Sequence, residues 1–288
     1  MTHHAHIENV PAQQQEWPGR TADMDPQPDH GETSYTGRAR LEGKKALITG
    51  GDSGIGRATA IAFAKEGAHV AIAYLPQEQE DAEATRAAVE SAGVDCVLLP
   101  TDQRTEQANN ELAAAALEAL GGIDILVNNA AFQMGQPGGI VDIPSGQLER
   151  VFETNMFATF WLTKALVPHL QAGASIIVTT SIQAYSPSEQ LLDYAASKSA
   201  LNNFMVNLAS ELGPQGIRVN AVAPGPIWTP LIPSTFDEEK VEGFGSDTPL
   251  GRPGQPIEVA AASVFLASDD ASYVSGTVLG VTGGKPVF

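Results

Sequence analysis

The chain has 288 residues, a hydrophobic fraction of 43% and a formal net charge of −18. That length suits one large α/β domain with a sizeable core. The acidic balance argues against partners that present a nucleic-acid backbone or an anionic membrane, and no apolar run reaches the roughly 18 residues of a membrane span. A single cysteine, Cys96, leaves no internal disulfide framework and no cysteine zinc cluster. It lies in an apolar run and reads as a small buried hydrophobe. The first residues lack the basic and then apolar stretches of a signal peptide, so the expected compartment is the cytoplasm.

Residues 1–40 are rich in Gln, Pro and acidic side chains and show neither helical nor strand period. They read as an extended arm or a disordered tail. His3, His4 and His6 resemble a metal tract, but so short a terminal run reads as a mobile tail, and no metal site is expected. Trp17 and Tyr35 are the arm's anchors if it packs. Residues 41–288 read as one domain.

From Lys44 onward, strands and helices alternate. Short apolar runs at 46–48, 69–74, 96–99, 123–127, 175–180, 217–222 and 277–281 predict seven strands. Between them, helical periods run over 57–65, 78–92, 105–120, 148–170, 191–212 and 257–267. Such alternation predicts a parallel, doubly wound sheet of about seven strands covered on both faces, a Rossmann-type fold. Residues 224–250 show no clear period, and a loop that long reads as a substrate lid. In this reading Trp228, Leu231, Ile232, Phe236 and Phe244 cover the substrate, and Gln133 and Gln183 add polar groups below them. The opposing reading of the loop is an oligomer contact.

The first strand feeds a turn with Gly50, Gly54 and Gly56 and then a helix. Glycines there allow a tight turn and close backbone approach, and the helix N-terminus presents free N–H groups to an anion. A pyrophosphate fits this arrangement, as does a plain βα turn with no ligand. Asp102 follows the third strand, Asn128 and Asn129 the fourth, and Pro224, Gly225 and Pro226 the sixth. In open parallel sheets ligands bind outside the carboxyl ends of the strands. Tyr194 and Lys198 are four apart and share one helix face. A nearby ammonium favours the phenolate, and Ser181 supplies a hydroxyl to polarise a carbonyl.

With these pieces in this order, the chain resembles the short-chain dehydrogenase/reductase family over about residues 41–285. The family's glycine turn matches Thr49 to Gly56. Its Asn-Asn-Ala-Gly motif matches Asn128, Asn129, Ala130 and Ala131, with alanine in the last place. The likeness is sharper to a branch of general-stress and YghA-like oxidoreductases, homologues of glucose and ribitol dehydrogenase. That branch carries an amino-terminal arm and a loop like residues 224–236. The resemblance implies that Asn155, Ser181, Tyr194 and Lys198 are catalytic, with Asn155 holding a water between Lys198 and solvent. It implies cofactor contacts from Gly50, Asp52, Ser53, Gly54, Ile55, Gly56, Tyr74, Leu75, Asp102, Gln103, Asn129, Ala130, Tyr194, Lys198, Pro224, Gly225, Ile227 and Thr229.

Departures are Gln103 after Asp102, and Pro187 and Ser199 where glycines are common. They bear on the loop before Tyr194 and on substrate fit.

The implied function is hydride transfer between a nicotinamide cofactor and a small aldehyde, ketone, sugar or polyol. The alternative is a cofactor-binding redox sensor or scaffold without turnover. An enoyl reductase is disfavoured because that branch spaces its Tyr and Lys more widely. Tyr74 stands where NAD selection needs a carboxylate, while Leu75 and Ser53 stand where NADP selection needs a base. Both cofactors remain open, and the missing carboxylate leans the reading to NADP. The family's habit of pairing through the helices that carry Asn155 and Tyr194 implies a homotetramer, with Phe157, Phe160, Trp161, Phe204 and Met205 on them. Those side chains could equally face the sheet.

Overall fold

The computed structural model describes Ile7 and residues 9–288. His3, His4 and His6 lie outside the described residues. Each apolar run forms a strand. The first half comprises β1 (Lys45–Thr49), α1 (Gly54–Lys65), β2 (His69–Tyr74), α2 (Gln79–Glu90), β3 (Cys96–Pro100), α3 (Glu106–Leu120) and β4 (Ile125–Asn128). In the second half α4 (Ser145–Phe152) runs through a π-helical turn (Glu153–Phe157) into α5 (Ala158–Leu166). Then come β5 (Ser175–Thr179), α6 (Leu192–Leu212), β6 (Arg218–Pro224), α7 (Leu231–Thr235), α8 (Glu238–Val241), α9 (Pro256–Ala267) and β7 (Val278–Val281).

The strands form one parallel sheet in the order β3-β2-β1-β4-β5-β6-β7. Successive side chains on a strand point to opposite faces. Ala46 and Ile48 therefore join the core beneath α1 and α9, while Leu47 joins the one beneath α3, α5 and α6. Strand order reverses between β1 and β4, which opens a crevice at their carboxyl ends. No helix among the described residues is long and apolar enough to cross a membrane.

Three features differ from the sequence reading. The helix expected over 148–170 starts at Ser145 and is interrupted by the π turn. Residues 224–250 hold two short helices, α7 and α8, which are too brief to leave a period. Trp228 is fully buried and turned away from the crevice. Its Nε1 donates to the Pro26 carbonyl at 2.7 Å, and it packs with Ile7, Val10 and Met24 of the arm. It therefore fastens the arm and does not cover a substrate.

Residues 29–40 are tied to the end of α1. Lys65 Nζ donates to the carbonyls of Gly31, Glu32 and Tyr35 at 2.8, 2.6 and 3.0 Å. The buried Glu66 carboxylate accepts from the backbone N–H groups of Arg38 and Arg40, from the Arg40 guanidinium and from the Tyr35 hydroxyl. Burial pushes this carboxyl up, but the bonds from Arg40, Tyr35 and the two N–H groups outweigh it and hold it at about 2, below its ordinary 4.5. Glu66 therefore contributes stability above about pH 4.5 that is lost as the pH falls toward 2. Glu66→Ala strands the Arg40 charge and is expected to cost about 3 kcal/mol or more. Urea unfolding at pH 7 checks this, and the gap between wild type and variant should narrow below about pH 4.

Candidate active site

The turn after β1 adopts left-handed backbone at two glycines, Gly50 at φ +61° and Gly54 at φ +49°. Gly56 is required for a different reason. A Cβ there would lie 1.8 Å from the Gly50 carbonyl oxygen, inside the turn itself. Ser53 is the extended N-cap of α1, and its side chain makes no capping bond. The first-turn N–H groups of α1 have no intrahelical partner, and Ser53, Gly54 and Ile55 line the crevice.

Asn129 fastens this turn to the neighbouring strands. Its N–H and that of Ala130 both donate to Thr49 Oγ1 at 3.0 Å. Its Nδ2 reaches the carbonyls of Thr49 and Gly50 at 3.1 and 3.2 Å, and its Oδ1 accepts from Thr179 Oγ1. Asn128 turns the other way and donates to Thr163 Oγ1.

The crevice has a volume of about 1050 Å³. It is lined by every expected cofactor residue except Gly56: Gly50, Asp52, Ser53, Gly54, Ile55, Tyr74, Leu75, Asp102, Gln103, Asn129, Ala130, Tyr194, Lys198, Pro224, Gly225, Ile227 and Thr229. Gly56 lies behind this wall and lets α1 pack on the turn. Gln103 fits its place by bonding Asn109 at the start of α3.

Of the four expected catalytic residues, Ser181, Tyr194 and Lys198 line one wall of the crevice. Ser181 follows the end of β5 and accepts from the Gln183 N–H at 3.1 Å, which orients its hydroxyl toward a bond with Tyr194. Lys198 is almost wholly buried; its Nζ donates to the Thr179 carbonyl at 2.7 Å and sits 5.4 Å from the Tyr194 ring centre.

Burial pushes the Tyr194 phenol up to about 12, against the Ser181 bond, which works downward. Burial also brings the Lys198 ammonium down to about 7. Lys198 is not among the groups that shift the phenol in the resting site. In the resting site both charged forms are penalised together.

Asn155 does not line the crevice. It is buried in the π turn, where Oδ1 accepts from the Phe132 N–H at 2.8 Å. Its Nδ2 donates to the Phe132 carbonyl and to Ser197 Oγ, each at 3.0 Å. Both amide hydrogens are thereby used, so its side chain braces the Phe132 loop against Ser197 of α6.

Gln133 and Gln183 both line the crevice, with Gln133 Nε2 bonded to Thr235 Oγ1 of α7 at 3.0 Å. Leu231, Ile232, Phe236 and Phe244 also line it.

Sequence reasoning missed two groups. Glu78, just after Tyr74 and Leu75, lines the same end of the crevice as Asp52. Burial and repulsion from Asp52 push Glu78 up to about 8, and burial raises Asp52 to about 6. The signal was an acidic residue four positions past the end of β2. Arg150 lines the crevice with its guanidinium between the rings of Trp17 and Phe132, at 3.9 and 4.1 Å from their centres. No local pattern announced it.

A family model described as enoyl-(acyl carrier protein) reductase matches residues 50–285. General stress protein 39 of Bacillus subtilis (strain 168) is 52% identical over 277 residues, which cover 96% of this chain and 96% of that protein. Glucose and ribitol dehydrogenase of Daucus carota is 47% identical over 282 residues, covering 96% of this chain and 97% of that protein. A solved short-chain dehydrogenase from Burkholderia cenocepacia J2315, in complex with NADP, matches with a TM-score of 0.79 at 34% identity. It covers 85% of this chain and 99% of that one.

The buried amine has a measurable consequence. Between about pH 7 and its ordinary value of 10.5, Lys198 is protonated in the unfolded chain and neutral in the folded one. Folding then releases a proton, so the Lys198 contribution to stability improves as pH rises through that window. Lys198→Met is expected to be more stable than wild type at pH 7, and the difference should shrink by about pH 9.5. Paired urea titrations across that range check the sign.

Proposed function

The chain belongs to the short-chain dehydrogenase/reductase family, and on that premise we propose a reaction and a set of reacting residues. The reaction is hydride transfer between NADP or NAD and a small aldehyde, ketone, sugar or polyol. The observation that carries the reading is Ser181, Tyr194 and Lys198 on one wall of a crevice whose floor is the glycine turn. The dinucleotide, when bound, supplies or accepts the hydride.

The crevice fits that group. Gly50 and Gly54 hold the turn open at positive φ, and the free N-terminus of α1 faces the space where a pyrophosphate is stabilised. Tyr194, Leu75, Asp102, Asn129, Ala130 and Thr229 would hold the rest of the dinucleotide.

In the reductive direction Tyr194 gives its proton to the forming alkoxide, and Ser181 hydrogen-bonds the same oxygen. Burial keeps the phenol protonated across neutral pH, so Tyr194 starts as the acid. Lys198, whose ammonium burial brings down to about 7 and whose Nζ lies 5.4 Å from the Tyr194 ring centre, is the group that would return a proton to the phenolate. Asn155 acts through Phe132 and Ser197 as a positioning residue. General acid–base action of this kind contributes about 10²–10⁴-fold.

Two observations bear on cofactor choice. The NADP of the Burkholderia structure supports NADP. Asp52, still ionised at neutral pH at the Tyr74 end of the crevice, supports NAD, because a 2′-phosphate there would meet its charge, while Glu78 beside it is held mostly protonated. Affinities of both cofactors, measured side by side, decide. The family model's description favours a second chemistry, reduction of an enoyl thioester, and the same assays can include that substrate.

Tyr194→Phe is expected to lower kcat at least about 10²-fold while keeping cofactor affinity. The assay is NADPH and NADH oxidation over aldehydes, ketones, sugars and polyols, with calorimetry for the cofactor. A variant with near wild-type turnover removes Tyr194 from the chemistry. Turnover by wild type separates the enzyme from a sensor that only binds cofactor.

We also propose a cytoplasmic homotetramer. Phe157 and Phe160 are 44% and 45% exposed and Val206 is 51% exposed, on the surface that α5 and α6 share, whereas Met205 faces the sheet. An apolar face of that kind supports symmetric pairing. Light scattering at micromolar concentration should give four chain masses.

A further inference from the structure

We propose that residues 17–19 of the arm form a wall of the dinucleotide site, so that a dinucleotide enters and leaves only when the arm lifts. The inference rests on reading the crevice as that site. Trp17, Pro18 and Gly19 line the crevice together with the glycine turn and the Tyr194 wall.

The arm is fixed on both banks of the crevice. On the α7 bank the Gln15 N–H donates to the Pro233 carbonyl at 2.8 Å, and the Gly243 N–H donates to the Val10 carbonyl at 2.9 Å. On the α2 bank the Thr21 N–H donates to Asp81 Oδ2 at 3.0 Å, and Arg20 pairs with Glu80. Residues 15–21 therefore cross from one bank to the other.

The crossing point is set by a glycine. A Cβ on Gly19 would lie 2.5 Å from the Pro230 carbonyl oxygen, so arm and loop backbones touch there. A Cβ on Gly54, in the phosphate turn, would lie 3.9 Å from Pro230 Cδ. Pro230 is thus held between the arm and the turn, and the arm passes close to where a pyrophosphate would sit.

The crossing segment also brings a cation. Arg150 lies over the Trp17 ring, and its guanidinium has no ion-pair partner among the described residues. It lines the crevice beside Arg104, whose charge is already neutralised by Asp102. A free cation held at the rim by an arm residue suits an anionic ligand. Residues 15–21 are held to the two banks by hydrogen bonds, one exposed ion pair and the Trp17 ring contacts, while the arm on either side is packed through Val10 and Met24 on Trp228. The short crossing segment opens at lower free energy than the packed cluster that flanks it.

Two measurements on the full chain test this. The first is stopped-flow displacement of bound NADPH and of bound NADH. Trp17→Ala is expected to release the dinucleotide about tenfold faster, as when a desolvated cation–π contact is lost, and Trp17→Phe is expected to restore most of the slow release. The second is trypsin cleavage after Arg20, whose side chain is 55% exposed. Saturating dinucleotide is expected to slow that cut several-fold, read by mass. Wild-type release from Trp17→Ala, or a cut whose rate ignores the dinucleotide, overturns the wall while leaving the cofactor site intact. A wild-type chain that binds neither NADPH nor NADH overturns both.

Discussion

One side chain fixes the geometry at the open end of the sheet. Asn129 and the two N–H groups that rest on Thr49 Oγ1 bind the ends of β1, β4 and β5 to one another where the strand order reverses. Parallel strands diverge there, and nothing in the ladder hydrogen bonds sets the spacing beyond their ends. With Asn129 in place, the glycine turn and the Thr179 carbonyl have a fixed separation. Lys198 is tied to that same carbonyl, so the amine inherits its position from the clasp. An oxidoreductase must hold two molecules side by side, and rigid placement of both binding regions is the largest aid a protein can give to such a reaction. A clasp of mutually satisfied, partly buried polar groups is also sensitive, since loss of one partner leaves the others unpaired.

Burial sets the acid–base character of this wall. Proximity of Tyr194 and Lys198 on one helix face argues for a phenol made acidic by an ammonium. In the resting site desolvation acts against the charged form of both groups, and the amine faces the ring at 5.4 Å with its hydrogen bond directed to Thr179. The Tyr74 end of the crevice follows the same principle with opposite charge. Asp52 and Glu78 both move up, Asp52 chiefly through burial and Glu78 through burial and the charge of Asp52.

The parallel sheet, its seven strands and most of the crevice were legible in the sequence because their determinants are local. A run such as residues 69–74 can only be a buried strand between turns, and the glycine pattern names its own backbone. Three features were not legible, each for a physical reason. The arm has no period because its described residues form no helix or strand beyond one short turn, and their order comes from partners far along the chain. Trp228 sits in a loop of lid-like composition, yet its indole faces Pro26, which only the docked arm supplies. The π turn at Asn155 leaves the apolar pattern of its helix almost intact, so periodicity passes over it. Ser181, Tyr194 and Lys198 were found by residue type and spacing. Asn155 was singled out by the family resemblance, and its side-chain partners give it a structural task that spacing does not encode.

The arm's partners also order events in time. The Asp29 N–H donates to Gln255, 226 residues later, and Trp228 reaches back 202 residues to Pro26. A ribosome adding about 5–20 residues per second exposes the arm roughly 10–40 s before either partner exists. Through that interval the glycine turn and β1 to β4 can assemble while the crevice has no roof on the arm's side. A nascent chain therefore offers its nucleotide-binding half to the surroundings early, and the roof arrives only with α7 and the loop after it, where Pro233 and Gly243 hold the arm's second bank. Cofactor present during synthesis would meet an open groove, whereas cofactor added to the finished protein would meet one already spanned.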